Sequence, residues 1–493
     1  MSRNVASTHL PITDGLLVVV KDDCETCHLV IPVLAELAHR QHRLALVSQD
    51  RADFPPGFEV LHDRELDISW RLQTETTPTI YRIENGEVVD QQEGWLRAGW
   101  ERVAATQAGL GKGLPSQRPG CGSDTMLPDV HQRLMQRHSP NRLASRRIEL
   151  GSSEDPIEAA FARGWTDGLP VTPPTEERVT QMLEATPLPP EHVLCILPPD
   201  LAECTVEKVA INAVMAGCLP EYLPVVLAAV EAAAGGQFNI HGISATTYFT
   251  GPVLVVNGPV RRRIGMNSGI NALGQGNRAN MTIGRALNLV VRNVGGARPG
   301  GVDRAALGSP GKLSFCFPED EEGSPWEPLS VERGFSPEDS TVTLFAGHGP
   351  IEIVDQRSRT PESLAKTFAL QLRMLGHPKI AGLSDAIVVV SPEHARIFRE
   401  AAWSKARLRR EIFSLLTLPT EQMAAGADGV AEGLPPHVVT AKTEVTKFAP
   451  DGLWFVHAGG DAGMFSAIIS GWIGGAASSQ MTTVAIDRQR GAI

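Results

Sequence analysis

The sequence predicts an α/β protein with a small N-terminal unit and a larger body built on a mainly parallel sheet. Apolar runs with the length of buried strands alternate with amphipathic stretches of helical period. A segment rich in glycine and proline begins at residue 109 and separates residues 1–108 from residues 151–493. At 493 residues the chain is also too long for one hydrophobic core. The body is long enough to hold two subdomains.

Composition restricts the classes of function. The formal charge of -11 argues against nucleic acid as a partner, because phosphates attract a basic surface. Apolar runs stay short of the roughly 20 residues that span a bilayer, and residues 1–14 lack the apolar segment of a secretion signal. Seven cysteines without a dense framework fit a reducing compartment. We therefore expect a cytoplasmic protein without membrane contact.

Two cysteines open the first predicted helix. Cys24 and Cys27 follow a predicted strand at 16–21 and precede a helix that extends to residue 39. A helix N-terminus stabilises a thiolate, so we expect Cys24 to attack disulfides and Cys27 to resolve the mixed disulfide. We also expect Cys24 to be the exposed thiol. Half of a zinc site is the alternative, although no second pair with zinc spacing follows in the chain.

With the thiol pair and Thr77-Pro78, residues 14–108 resemble the thioredoxin-like family. In that family a cis-proline loop faces the thiol pair and shapes substrate docking. The resemblance therefore implies a cis peptide bond before Pro78 and a place for Pro78 in the active site. The order of the predicted elements agrees with it, with strands at 16–21 and 43–48, a short helix at 66–72 and a hairpin turn at 84–86.

The residues around the thiols depart from thioredoxin itself. The dipeptide between the cysteines is Glu-Thr in place of Gly-Pro. The acidic side chains of Asp22, Asp23 and Glu25 disfavour a thiolate by like-charge repulsion. These departures predict a more reducing and more selective pair.

Residues 109–150 are predicted to form a linker that runs into a basic surface helix. The stretch 108–119 carries several glycines and prolines, and as a flexible coil it would span about 20 Å. Cys121 follows it. This thiol is either an incidental linker cysteine or a shuttle between Cys24 and a downstream site.

The body alternates predicted strands and helices, which indicates a mainly parallel sheet covered on both faces. The predicted strands are 253–257, 341–345, 386–390 and 452–457, and the helices are 176–184, 205–216, 222–234, 363–374 and 393–402.

Several phrases of residues 150–490 are similar to bacterial proteins related to the (seleno)proteins named for a U-G-S-C motif, in which U is selenocysteine or cysteine. In those relatives the motif follows Gly-Asp, whereas here Gly460-Asp461 is followed by Ala462. A selenol-type mechanism at this position is therefore not implied. The similar phrases are Thr205-Val206-Glu207-Lys208, Ala213-Val214-Met215-Ala216-Gly217-Cys218, Arg278-Ala279-Asn280, Ile283-Gly284-Arg285-Ala286, Pro310-Gly311-Lys312, Ser324-Pro325-Trp326-Glu327-Pro328 and Trp403-Ser404-Lys405.

The richest polar stretch of the body lies at 267–285. Glycines there let backbone N–H groups approach a ligand, and a helix that begins near residue 279 would direct its N-terminus at an anion. Two arginines two helical turns apart could clamp a carboxylate or phosphate. Polar loops packed at a domain interface are the alternative. The predicted substrate-binding residues are Asn267, Asn271, Arg278, Asn280 and Arg285.

Two further residues of the body are catalytic candidates. Cys204 precedes a predicted helix start, where a thiolate would be stabilised, although a small core residue is the alternative. Asp461 follows a predicted strand beside glycines, a position suited to substrate contact or proton transfer. The histidines lack metal-ligand spacing, so the sequence indicates no metal-binding residues and leaves open whether a metal is bound. No cofactor is required beyond a redox-active disulfide.

These features favour a thiol–disulfide-linked oxidoreductase. The N-terminal domain would exchange electrons with a body that acts on a small anionic substrate, and a cellular thiol would serve as reductant. One alternative is a lyase or hydrolase on such a substrate, with the N-terminal domain protecting or regulating it. The other is a binding protein. The sequence leaves the oligomeric state open.

Overall fold

The structure, a computed structural model, describes residues 10–40, 43–106, 109–138, 143–151, 153–472, 474 and 478–486. The chain divides into two compact units, Met1–Pro140 and Asn141–Ile493. The predicted domain boundary at residue 108 lies outside the described residues. Among those residues, no helix combines the length and the apolar character that crossing a membrane requires.

The first unit is built on a five-stranded sheet. Its order is β3-β2-β1-β5-β6, with β1, β2 and β3 parallel and β5 antiparallel to β1. Apolar side chains of β1 and helix α1 share one buried core with Trp95 and Trp100. The elements are β1 Gly15–Val20, α1 Glu25–His39, β2 Leu44–Ser48, β3 Val60–His62, α2 Asp67–Arg71, β4 Thr76–Thr77, β5 Thr79–Glu84, β6 Glu87–Glu93, β7 Trp95–Leu96, α3 Arg97–Val103, β8 Gln117–Arg118, β9 Cys121–Gly122 and α4 Pro128–His138.

The segment predicted as a flexible coil packs against this unit in its described part. Strand β8 pairs with β7, and β9 pairs with β4. The indole of Trp95 donates to the carbonyl of Pro115 at 2.7 Å, and the Thr26 hydroxyl donates to the carbonyl of Pro119 at 2.7 Å. Proline and glycine prevent a long helix or strand in this segment, but its backbone N–H and C=O groups still form hydrogen bonds with neighbouring residues.

The body contains two four-stranded sheets and a series of helices. The sheet orders are β13-β12-β14-β21 and β15-β20-β16-β19. The elements are α5 Pro156–Ala162, α6 Glu176–Leu183, β10 Val193–Leu197, β11 Ala202–Thr205, α7 Val206–Ala216, α8 Leu223–Ala234, α9 Ile240–Ala245, β12 Gly251–Asn257, α10 Val260–Arg263, α11 Arg278–Asn293, β13 Cys316–Pro318, α12 Leu329–Glu332, β14 Thr341–Gly347, β15 Ile351–Val354, α13 Pro361–Arg373, β16 Ser384–Val390, α14 Pro392–Glu400, α15 Lys405–Leu415, β17 Thr417–Pro419, α16 Thr420–Met423, α17 Pro436–Ala441, β18 Glu444–Thr446, β19 Phe448–His457, β20 Phe465–Ser470 and β21 Thr482–Ala485.

The two sheets of the body pack face to face between two layers of helices. On β12, Val253 and Val255 join an apolar cluster that also contains Ile387 and Val389 of β16. Leu254, between those two valines, packs instead with α7, α8 and α11. The outer face of the second sheet packs in the same way against α13, α14 and α15. Each central strand is therefore buried on both faces.

The body is mixed α/β, and the prediction of a mainly parallel sheet is wrong. Two strand pairs of the large sheets are parallel, β12 with β13 and β16 with β19. The pairs β12/β14, β14/β21, β15/β20 and β16/β20 are antiparallel. A fully apolar run indicates that both faces of a strand are covered, and a second sheet covers a face as well as a helix does. Strand direction therefore does not follow from such runs.

Truncation of a side chain between the sheets tests this packing. Phe317 is fully buried in the shared apolar cluster. We expect Phe317→Ala to lower the free energy of unfolding by about 3–5 kcal/mol, because it removes buried surface and leaves a cavity. Denaturant unfolding of the full chain measures the change. The matched control is Phe465→Ala, because Phe465 is 46% exposed. Equal losses for the two variants would contradict the shared core.

Candidate active site

The site lies where strand β1 passes into helix α1. Cys24 is the N-cap residue of α1, with extended backbone, and its sulfur accepts the backbone N–H of Cys27 at 3.3 Å. The sulfur thus occupies the place that a serine or aspartate oxygen takes in an ordinary N-cap, where the helix dipole favours a negative charge. The Sγ of Cys27 accepts the backbone N–H of Lys21 at 3.5 Å.

Both thiols are covered. Cys24 is 2% exposed and Cys27 is fully buried. The expectation that Cys24 is the exposed thiol is therefore wrong. Two neighbouring segments cover them. One is the Thr77-Pro78 loop, at the junction of β4 and β5, and the other is Cys121 on β9, which pairs with β4.

The Thr77-Pro78 loop contacts the sulfur of Cys24 directly. The carbonyl oxygen of Thr77 lies 3.3 Å from Cys24 Sγ and accepts its proton when the thiol is neutral. The peptide bond before Pro78 is cis, as predicted. Pro78 is buried in the same loop. The site residues Cys24, Cys27 and Pro78 therefore lie close together.

Cys121 is the third thiol of the site. Strand β9 pairs with β4 so that Cys121 lies opposite Thr77, and its side chain packs against the apolar cluster that contains Cys24 and Cys27. Cys121 is half-buried, so it is the most accessible of the three. This position satisfies one requirement of the shuttle interpretation, contact with Cys24, and exchange with a downstream site stays a prediction. The sequence contains no local signal for this contact, because it depends on the pairing of two short strands about 45 residues apart.

Hydrogen bonds lower the pKa of Cys24 to about 5. The largest contribution is the bond from the Cys27 thiol, and bonds from the Cys121 thiol and the Cys27 amide add to it, against the opposing effect of burial. Burial and the neighbouring Cys24 raise the pKa of Cys27, and the same two causes raise that of Cys121. At neutral pH the cluster is therefore one thiolate held between two neutral thiols.

Two of the three acidic side chains near the thiols have arginine partners. Arg51 pairs with Asp22 at 3.2 Å, and Arg118 pairs with Glu25. The pKa of Cys24 is lowered, with hydrogen bonding as the first cause, so repulsion by the acids does not dominate. The more reducing and more selective pair stays a prediction.

Lys21 and Asp124 are site residues that the sequence analysis missed. Lys21 Nζ lies 3.1 Å from Asp124 Oδ1, and the lysine is 9% exposed. Burial alone would lower the pKa of Lys21, but the bond to Asp124 and the charges of Asp124, Asp23 and Cys24 outweigh it and raise the pKa. A protonated amine beside the thiolate helps to hold the negative charge.

The predicted substrate-binding residues of the body are bonded mainly to their own protein. Asn280 donates to the carbonyl of Asn267 at 2.8 Å, and Asn271 donates within the same loop to Gln275. Arg278 is exposed and donates to Gly217. Arg285 forms a two-pronged ion pair with Asp167 at 2.7 and 2.8 Å. The two arginines thus have separate partners in place of a shared anion.

Asp461 lies on a loop next to this polar stretch. The amide of Gly459 donates to the carbonyl of Ser268 at 2.8 Å, which joins the two loops. The Asp461 side chain is 64% exposed and pairs with Arg396 at 2.9 Å. The structure thus brings Asp461 and Asn267 to the same end of the body, in a surface setting.

Cys204 lies on strand β11, directly opposite Cys195 of β10. The helix that follows is capped by Thr205, so the dipole does not act on Cys204 as predicted. The bond to Cys195 and burial raise the pKa of Cys204, and the same bond lowers that of Cys195. Cys195 and Cys204 form a second pair of adjacent thiols. Within the described part of the chain, no group of three or more His, Cys, Asp or Glu is arranged to hold a metal ion.

Substitutions at Cys27 test the origin of the thiolate. We expect Cys27→Ala to raise the pKa of Cys24 toward the ordinary value of about 8.5, because the largest donor is lost. Cys27→Ser, whose hydroxyl still donates, should raise it less. The pH dependence of alkylation of Cys24, followed by peptide mass mapping of the reduced protein, measures both. An identical midpoint in wild type and Cys27→Ala would exclude this hydrogen bond as the cause.

Comparison of the chain with models of protein families, with curated proteins and with solved structures finds no match. What the thiols can do therefore follows from their own geometry and electrostatics.

Proposed function

We propose that the protein is a thiol–disulfide oxidoreductase in which a thioredoxin-like N-terminal domain uses Cys24 as its nucleophile. The observation that carries the proposal is the position of Cys121, which lies opposite Thr77 and packs beside Cys24, whose pKa is lowered to about 5. A thiolate stabilised at neutral pH beside a second sulfur is poised for exchange. In this proposal Cys121 is the thiol that reacts with external disulfides, because Cys24 itself is buried.

The proposed reaction moves two electrons in three steps. Cys121 first exchanges with a cellular disulfide RSSR′, forming Cys121–S–S–R and releasing R′SH. The Cys24 thiolate attacks the Cys121 sulfur, so that the Cys24–Cys121 bond forms and RS⁻ leaves. Cys27 then gives up its proton and attacks Cys24, which leaves a Cys24–Cys27 disulfide and returns Cys121 as a thiol. A cellular thiol reductant restores the pair.

The body is proposed to receive or supply electrons for chemistry on a small anionic substrate. Two adjacent thiols on β10 and β11, Cys195 and Cys204, support this part of the proposal. Opposed cysteines on antiparallel strands have Cα atoms close enough for a disulfide, so the body carries a second dithiol that can be oxidised and reduced.

Trapping the internal disulfide tests the function. We expect Cys27→Ser, treated with equimolar diamide as two-electron oxidant, to accumulate a Cys24–Cys121 disulfide because the resolving thiol is absent. Wild type should accumulate Cys24–Cys27 instead. Peptide mapping under non-reducing conditions distinguishes the two. With glutathione disulfide, pre-reduced Cys24→Ser should stop at a Cys121–glutathione mixed disulfide, because release of the second glutathione requires Cys24.

The matched control is Cys218→Ser, because Cys218 is a buried thiol of the body. This variant should behave like wild type in both assays. Failure to find Cys24–Cys121 in Cys27→Ser would remove the role of Cys121. Unchanged turnover in Cys24→Ser would remove the oxidoreductase proposal.

A further inference from the structure

The body contains an open cavity of about 740 Å³. One wall is formed by residues of the segments 143–150 and 156–175, and the other by helices α6, α7 and α11. The carboxylate of Glu207 on α7 holds the first segment in place by accepting the amides of Ala144 and Ser145, both at 2.9 Å. The volume is that of pockets for ligands of metabolite or drug size.

The lining of the cavity is largely apolar. Trp165, Ile211 and Met215 contribute to its walls. Ile148 and Leu150 also line it, and they remain 41% and 38% exposed. Burial of such side chains by a ligand is favourable, because it removes apolar surface from water. The apolar body of a small molecule is therefore the natural occupant.

Four cationic side chains line the same cavity, against two carboxylates. Glu207 is engaged by the backbone of the segment, and Glu176 pairs with Arg147. Arg146 lies 6.0 Å from the ring of Trp165. Within the described part of the chain, neither Arg146 nor Arg298 has a carboxylate partner. The cationic side chains of the lining are Arg146, Arg147, Lys208 and Arg298.

We infer that this cavity binds an amphipathic organic anion, a molecule with an apolar or aromatic body and one anionic group. The anionic group lies with Arg146 and Arg298, and the apolar body lies against Trp165, Ile211 and Met215. The site is separate from the polar loop at 267–285. The inference is independent of the thiol chemistry, so it stands or falls on its own test.

Binding of a matched pair of probes to the full-length protein tests the inference. 8-Anilinonaphthalene-1-sulfonate has an aromatic body and a sulfonate, and N-phenyl-1-naphthylamine is its neutral counterpart. We expect the sulfonate to bind once per chain, to quench Trp165, and to lose about tenfold in affinity in Arg146→Gln and in Arg298→Gln. The neutral probe should bind equally to wild type and to both variants, which also establishes that the cavity is intact.

Two further variants decide the location. Ile211→Trp fills the cavity and should weaken both probes by at least about tenfold, with thermal unfolding measured to verify folding. Arg410→Gln removes an exposed arginine of α15, outside the cavity, and should leave both affinities unchanged. Equal affinity of the sulfonate in wild type, Arg146→Gln and Arg298→Gln would overturn the inference, as would binding unaffected by Ile211→Trp in a folded protein.

Discussion

Burial of both faces of each large sheet is the constraint on which the body depends. Alternate residues of a strand point to opposite faces, so Val255 enters the layer between the sheets while Leu254 and Val256 meet the helices. Such strands must be apolar at nearly every position. Polar side chains are then confined to strand ends and loops, which is where Asn267 and Asp461 lie.

The thiol site depends on a balance between two opposing effects on the Cys24 thiolate, the cost of removing its charge from water and the gain from hydrogen bonds to it. Burial alone would raise the pKa of Cys24, and three hydrogen bonds from Cys27 and Cys121 reverse that effect. The same charge keeps the other two thiols protonated. The three cysteines therefore share one negative charge, and moving any one of them alters the reactivity of the others.

Local pattern predicted much of the fold. The strand before Cys24, the helix after it, the hairpin turn at 84–86 and the helix predicted at 176–184 all occur where expected. These features depend on residues a few positions apart, whose chemistry acts within one turn or one strand. Contacts between distant residues do not follow from local pattern. The partners of Asp22 and Glu25 are Arg51 and Arg118, which lie 29 and 93 residues away in the sequence.

The sequence by itself determined the strongly periodic helices and the central strands β1, β12, β14, β16 and β19, and it located the thiol pair Cys24 and Cys27 at the start of a helix. Only the tertiary structure decided the direction of the strands in the two sheets, the cover over Cys24 and the place of Cys121 beside it. The reason is physical. The periodicity of a segment indicates which of its side chains are buried. It does not identify the distant segment that packs against them, because many arrangements of the chain bury the same side chains.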